Sequence, residues 1–437
     1  MSSTRPRVVI TGIGVVSPLG NGKESLWEAL CAGRSGVGPL TAVPAGALPT
    51  SVAAEAKGFQ GEIDDFGPLD KETKKAIRKG LKVMCRECQM GVAAAQQALA
   101  DAKLVPGAYD PARTGISYGS DYMLTMPDDF AEGIQQCLGD KGNFEISRWA
   151  KEGMPKMSPL WLLKYLPNMP ASHLAIYNNL QGPNNSITVR EASPNLAVAE
   201  ALQIILRGRA DIMLCGATGT RLHPMKIVHA LQQEEVASGD GTPEQTSRPF
   251  DLHRSGMVLG EGAGALVLED LTSALARGAT IYGEVVGGGS SSVVERSLLA
   301  RRDVAMKNAL VAALEHAGAT PGEVGHVHAH GLSTRTSDIE ESWAIRQVFA
   351  ARDVPVVAAK SYFGNLGAGS GAVEMAASLL ALYYRRLFRV LNYQTPDPEC
   401  PLAVVTTDDA PPGDSFINLN VTPQGQASAV MIRRYVG

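Results

Sequence analysis

ITVREASPNLAVAEALQIILRG, Ile187 to Gly208, reads as a short apolar strand that runs through a sharp corner into a helix, with Glu191 at the corner. Unsatisfied N–H groups and the helix dipole make such a corner a seat for an anion or an activated nucleophile. Here the seat holds a carboxylate, where a nucleophile would be usual. Outward from it the chain alternates apolar runs with helical patterns, the signature of an α/β protein with buried strands. RVVITGIGVV (Arg7 to Val16), TGISYGS, ADIMLCGATG and GALVLED read as strands, and KESLWEALCAG and KVMCRECQMGVAAAQQALADA as helices. A comparable series follows: TIYGEVVGGGSS, the helix VAMKNALVAALEHAGA, the strand VGHVHAHG, and VVAAKSYFGN leading into the helix AVEMAASLLALYYRR. The repetition is one of pattern rather than letters and predicts two duplicated α/β halves, residues 1–270 and 271–437, with no linker between them. Residues from about 126 to 177 break the alternation with MPDDF and GMPKMSPLWLLKYLPNMP; an insertion of this kind predicts an oligomer contact or a lid on a substrate pocket.

Composition excludes several classes. Hydrophobic residues at 45% and charged residues at 19% are those of an ordinary soluble fold, not of a disordered or fibrous chain. Lys and Arg number 40 against 44 Asp and Glu, a formal charge of -4 that leaves no basic footprint for nucleic acid. Six cysteines in so long a chain make no disulfide framework, so a cytoplasmic location is expected. Cys85 and Cys88, in CREC, have the spacing of a zinc or redox pair, but no second CxxC follows and their surroundings are helical; an ordinary helix is expected there. Cys215, in MLCGA, reads as a small buried strand residue. The start MSSTRPRVVI has no apolar signal region, and no run approaches the about eighteen apolar residues of a membrane span. No glycine-rich nucleotide motif lies between a strand and a helix, so no organic cofactor is expected.

RVVITGIGVVSPLGNG, LPNMPASHLAIYNNLQGP, RGRADIMLCGA, SRPFDLHRSGMVLGEGAGALVLED, HAHGLST and KSYFGNLGAGSGAVE occur in one order over nearly the whole chain. Together they resemble the β-ketoacyl-acyl-carrier-protein synthases, decarboxylating condensing enzymes of the thiolase fold. The resemblance implies a five-layered αβαβα fold, a homodimer or a heterodimer with a cysteine-bearing ketosynthase, and a pocket for acyl thioesters of an acyl carrier protein or coenzyme A. It also implies the site. The family's nucleophilic cysteine, in a pattern like TACxS, falls on Glu191; the histidine of HGTxT on His330; the lysine and histidine of KSxxGH on Lys360 and Asn365. Ser333, Thr334, Val421 and Thr422 fall where substrate is bound, the last two in VTPQG, which replaces the family's glycine-rich gate. Asp338 and Glu341 fall where a monovalent cation is conceivable by resemblance alone.

Chemistry separates the half-reactions. A thiolate accepts an acyl group as a thioester that remains easy to transfer; a carboxylate would form a mixed anhydride, ill suited to attack by a carbanion. Glu191 is expected to be ionised and held by backbone donors, its charge offset by Arg190 or Lys360. Decarboxylation needs donors around a developing enolate oxygen, which His330 and Asn365 can supply. Retention of His330 and Lys360 favours non-canonical acyl- or malonyl-thioester chemistry, decarboxylation or acyl transfer, over standard Claisen condensation. The lost cysteine and altered gate favour the alternative, a silent partner like the chain-length factors, which share the fold, lack the cysteine and shape the cavity of an active ketosynthase. Asn365 also suits a helix cap. His326, His328 and His330 alternate along one strand and share a face, a weak pattern for a metal.

Overall fold

The computed structural model describes residues 6–239, 241–350 and 352–437, and its main strands form two five-stranded sheets of one design within a continuous whole. In the first half β1 (Val8–Ser17), β2 (Thr114–Ser120), β3 (Asn184–Thr188), β4 (Ile212–Thr220) and β5 (Leu259–Asp270) lie in the order β1-β5-β4-β2-β3. β5 is antiparallel to both β1 and β4, whereas β2 is parallel to both β4 and β3. In the second half β6 (Gly283–Ser292), β7 (His326–His328), β8 (Pro355–Val357), β9 (Ser415–Val421) and β10 (Gln426–Arg433) lie in the order β6-β10-β9-β7-β8, with the same antiparallel and parallel neighbours. β1 and β6 pair antiparallel from Val8↔Val285 to Ile10↔Gly283, which joins the sheets edge to edge. The duplication expected from sequence pattern is present strand for strand.

Five helices complete the layers: α1 (Arg86–Asp101), α2 (Ser193–Leu206), α3 (Arg302–Ala317), α4 (Arg335–Phe349) and α5 (Gly369–Tyr384). α1 covers the outer face of the first sheet and α3, with α4 beside it, that of the second; α2 and α5 lie between the sheets. This is the thiolase-like αβαβα arrangement. A helix enclosed on all sides cannot be amphipathic, and α5 is buried at every residue from Gly369 to Leu382. On the outer faces glycine lets helix and strand approach closely. A Cβ on Gly14 of β1 would overlap the carbonyl oxygen of Ala94 in α1, and one on Gly289 of β6 that of Ala309 in α3.

Three expectations change in detail. The helix anticipated from Lys82 begins only at Arg86, after a turn at Leu81–Val83 and an extended Met84. The strand leading into the corner is the polar Asn184–Thr188 rather than an apolar run. β9 and β10, central to the second sheet, are strands that the sequence pattern does not announce. β9 carries buried Asn418 and Asn420, which obscure its apolar character; Asn418 Nδ2 donates to Asn195 Oδ1 of α2 at 2.9 Å. The insertion folds as a helix at Pro127–Gln136, short turns, and a helix at Met169–Tyr177, around the rings of Phe130, Trp149 and Trp161. No helix among the described residues is long and apolar enough to cross a membrane.

Candidate active site

β3 ends at Thr188, and the chain turns through Arg190–Ala192 into α2. Arg190 turns the corner with φ of 49°, a left-handed conformation that costs a non-glycine residue about 1–3 kcal/mol and persists only where the surroundings enforce it. Ser193 supplies that enforcement. Its Oγ accepts from Val189 N at 2.8 Å and donates to the Ser120 carbonyl at 3.1 Å, which ties the corner to the end of β2. Glu191 is thereby turned inward and is 1% exposed.

The carboxylate meets side chains, not the backbone donors expected from sequence. Arg221, fully buried just beyond β4, pairs through Nη2 with Glu191 Oε1, and Asn365 Nδ2 donates to the same oxygen at 3.2 Å. Arg190 Nε lies 3.6 Å from Oε2. Of the two cations expected beside Glu191, Arg190 is present as a second partner and Lys360 is not. Arg190 also closes the corner from outside: Nη1 donates to Gln233 Oε1 at 3.1 Å and Gln424 Oε1 at 3.2 Å, and Nη2 to Glu234 Oε1 at 3.4 Å. Gln424 belongs to the VTPQG turn between β9 and β10, so the replaced gate is latched to the corner.

Lys360 is committed elsewhere. Its ammonium pairs with Glu374 of α5 and donates to the His330 carbonyl at 2.8 Å and His330 Nδ1 at 3.3 Å. Lysine can only donate, so Nδ1 accepts and the imidazole proton sits on Nε2. Burial, with Lys360, Arg302 and Arg221 nearby, pushes the His330 pKa well below its ordinary value, and the ring is neutral. Nε2 has no hydrogen-bond partner among the described residues. Asn365 Oδ1 accepts from Gly367 N at 3.0 Å and Ser370 Oγ at 3.1 Å, so the residue also shapes the turn into α5 as expected of a cap.

The structure thus brings together Glu191 and Asn365, and separately His330 and Lys360. The carboxylates that follow His330 hold its loop. Glu341 accepts from His330 N at 2.6 Å and Gly331 N at 2.7 Å; Asp338 accepts from Leu332 N at 3.0 Å and Phe250 N at 2.9 Å. Burial raises the pKa of both, to about 8 for Glu341 and about 6 for Asp338. Thr334 lines a cavity of about 350 Å³ with Leu332, Arg302, Gln233 and Glu234, the last two being partners of Arg190. Ser333 is buried and accepts from Arg248 N at 3.0 Å. Val421 ends β9, and Thr422 Oγ1 donates within the hairpin to Gln426 Oε1 at 2.7 Å.

His326 and His328, the two histidines of β7, have all their ring nitrogens engaged in hydrogen bonds. Ala359 N donates to His328 Nε2 at 3.2 Å; His328 Nδ1 lies 2.8 Å from Ser378 Oγ; that hydroxyl lies 3.0 Å from His326 Nε2; and His326 Nδ1 lies 2.8 Å from the Pro412 carbonyl. One tautomer of each ring satisfies every atom in this chain. Sequence reasoning missed Arg221, Glu234, Gln424 and Glu374. The one visible signal was an arginine placed directly after an apolar strand, in GTRLHP, where burial demands an acidic partner.

The sequence matches the family model Beta-ketoacyl synthase, N-terminal domain, over residues 5–274, and Beta-ketoacyl synthase, C-terminal domain, over residues 282–394. It is 33% identical over 404 residues to a 3-oxoacyl-[acyl-carrier-protein] synthase 2 of Synechocystis sp., covering 92% of this chain and 91% of that one. Among solved structures, the ishigamide ketosynthase/chain length factor superposes with a TM-score of 0.81 at 28% identity, over 99% of this chain and 100% of that one. A type II polyketide acyl-carrier protein in complex with its ketosynthase bound to the hexaketide gives 0.82 at 27% identity, with the same coverage.

Proposed function

The chain belongs to the β-ketoacyl synthase family, and from that premise we propose that it serves ketosynthase-type biosynthesis as a partner subunit, without condensing activity of its own. It would shape the acyl cavity of a cysteine-bearing ketosynthase that works on carrier-protein thioesters. One observation carries the reading. The side chain at the nucleophile position is a buried carboxylate whose charge is taken by the buried guanidinium of Arg221. A carboxylate so paired is stabilised as an anion and is a weaker nucleophile towards a thioester, and leaving the pair would strand two charges in a low-dielectric site. Arg190 and Gln424, which latch the hairpin over the corner, support the same conclusion.

The test is co-expression with a cysteine-bearing homologue. Glu191→Gln is expected to leave the product of the complex unchanged, and intact mass of this chain during turnover is expected to show no acyl adduct. Turnover of malonyl- or acyl-carrier protein by this chain alone, lost on Glu191→Gln, overturns the proposal.

A second reading, decarboxylation of a malonyl thioester, is favoured by His330. Its neutral ring offers Nε2–H without a partner, the donor that a developing enolate oxygen needs, worth about 2.7–4 kcal/mol. Release of carbon dioxide from malonyl-carrier protein by the purified chain, abolished by His330→Ala, would select it.

A further inference from the structure

Cys85 and Cys88 play no part in the corner or in the His330 network, and the sequence around them reads as plain helix. Cys85 caps the N-terminus of α1 and Cys88 lies one turn on, with the two Sγ atoms 3.6 Å apart. The fold adds a third sulfur that no spacing in the sequence reveals. Met123, beyond the end of β2, places its Sδ 3.7 Å from Cys85 Sγ and 3.7 Å from Cys88 Sγ. The three sulfurs form a nearly equilateral triangle. An ion at its centre would stand about 2.1 Å from each, within the ~0.2 Å tolerance of a metal–thiolate bond of ~2.3 Å.

The surroundings decide which ion fits. Cys88 is fully buried and Met123 is 8% exposed, while Cys85 is half-buried. Cys85 and Met123 both line a cavity of about 500 Å³ that meets solvent at Lys57, Gln60 and Met126. Met126 is 38% exposed there, a further thioether on the way in. No nitrogen is on offer. His223, which lines the same cavity, has Nδ1 accepting from Met225 N at 3.1 Å and Nε2 at 3.3 Å from the Thr125 carbonyl. The carboxylates of Glu87 and Glu261 are paired with Lys226 and Arg86. Cys88 Sγ lies 3.7 Å from the Lys164 carbonyl oxygen. Zinc takes four ligands in a tetrahedron, whereas two thiols and a thioether select a soft, low-coordinate ion.

We infer that Cys85, Cys88 and Met123 form a three-coordinate site for a soft monovalent d¹⁰ cation of the copper(I) class, loaded through the cavity past Met126. Binding is ligand exchange without electron transfer: the ion arrives as copper(I), and each coordinating thiol passes its proton to solvent. The three sulfurs make no hydrogen bond to Glu191, Arg221, His330 or Lys360 among the described residues, and the site does not depend on whether this chain is a partner or an enzyme.

The test is an anaerobic titration of the full chain with copper(I) under reducing conditions, in competition with a chromophoric copper(I) chelator, with silver(I) as a second probe. One ion per chain is expected, with X-ray absorption showing three sulfur neighbours. Cys85→Ser is expected to weaken binding at least about tenfold. Met123→Leu, which preserves apolar volume, is expected to weaken it too and to reduce the sulfur neighbours to two. Cys31→Ser should bind as the wild type does. Circular dichroism reports whether each variant is folded. The inference is overturned if the chelator keeps all the copper, if folded Cys85→Ser and Met123→Leu bind like the wild type, or if zinc binds in preference with four ligands.

Discussion

Arg221 and Glu191 are each nearly inaccessible to water, and each is the main counter-charge of the other. Arg221 Nε and Nη1 have no hydrogen-bond partner among the described residues, so removal of Glu191 would leave the buried guanidinium with Glu234 Oε1, 4.0 Å from Nη2, as its remaining acidic partner. Arg221→Met is expected to destabilise the chain by about 3–5 kcal/mol, because it leaves the buried carboxylate only the Asn365 amide at 3.2 Å and Arg190 at 3.6 Å; Glu191→Leu is expected to cost a similar amount. The double variant should regain most of either loss, since an apolar pair of like volume often replaces a buried ion pair at little cost. Urea denaturation of the four proteins gives the coupling energy directly, and additive losses would show that the pair does not act as a unit. The sequence made one partner legible and hid the other. Glu191 stands out because a strand-to-helix corner is a local pattern, as are the loops of His330 and Asn365. Arg221 lies thirty residues on, and its approach to Glu191 exists only once β4 is laid beside β2. For the same reason Lys360 could be placed in the site but not given its partner, Glu374, which α5 delivers from the middle layer.

The elements carry their own constraints, and the duplicated pattern makes them testable in pairs. Gly14 and Gly289 occupy equivalent strands under equivalent helices, and a methyl group at either meets a helix carbonyl oxygen rather than a side chain that could move. Gly14→Ala and Gly289→Ala should therefore each lower stability by about 1–3 kcal/mol, measurable as a fall in the urea midpoint. β7 adds a pH dependence. The chain from Ala359 through His328, Ser378 and His326 to Pro412 requires both rings neutral, and burial pushes His326 down to about 4 and His328 well below its ordinary value. Depressed histidine pKa values contribute stability that is present above about pH 6.5 and lost as pH falls towards 4, at up to about 1.4 kcal/mol per pH unit for each ring. His326→Gln offers an acceptor and a donor without a titrating proton. Its stability should fall less steeply than the wild type between pH 6.5 and 4.5, and equal slopes would remove His326 as a contributor. Alternation of strands and helices was readable because most strands here are apolar runs between glycines. β9 escaped because its asparagines donate to partners on α2 and α5, and a buried polar residue looks like a surface one until its partner is known.

At the scale of the molecule, β3 forms the first half's edge of the joined sheet. β3 is hydrogen-bonded to β2 on one side and, among the described residues, to nothing on the other. An unpaired strand edge is a template for another chain. Next to it the insertion exposes Ile176 on the helix Met169–Tyr177 at 72%, and elsewhere Ile146 at 72%, Leu160 and Leu162. The insertion thus offers residues to both expectations drawn from sequence: Met126 and Tyr165 line the large cavity, while the exposed aliphatic side chains suit an oligomer contact. A two-fold contact through β3 would bring each such residue near its counterpart, so a new charge on one helix meets a like charge on the other. Wild-type chain, alone or with a cysteine-bearing homologue, is expected to elute as two chains by light scattering. Ile176→Glu should shift it towards one chain while its circular dichroism is unchanged, because the side chain is exposed in the folded subunit. Formation of pairs only when the homologue is present would favour the partner role, and stable self-pairing with no exchange into the homologue would count against it. A two-chain species unaffected by Ile176→Glu and by a proline at Ser186 would move the contact away from β3 altogether.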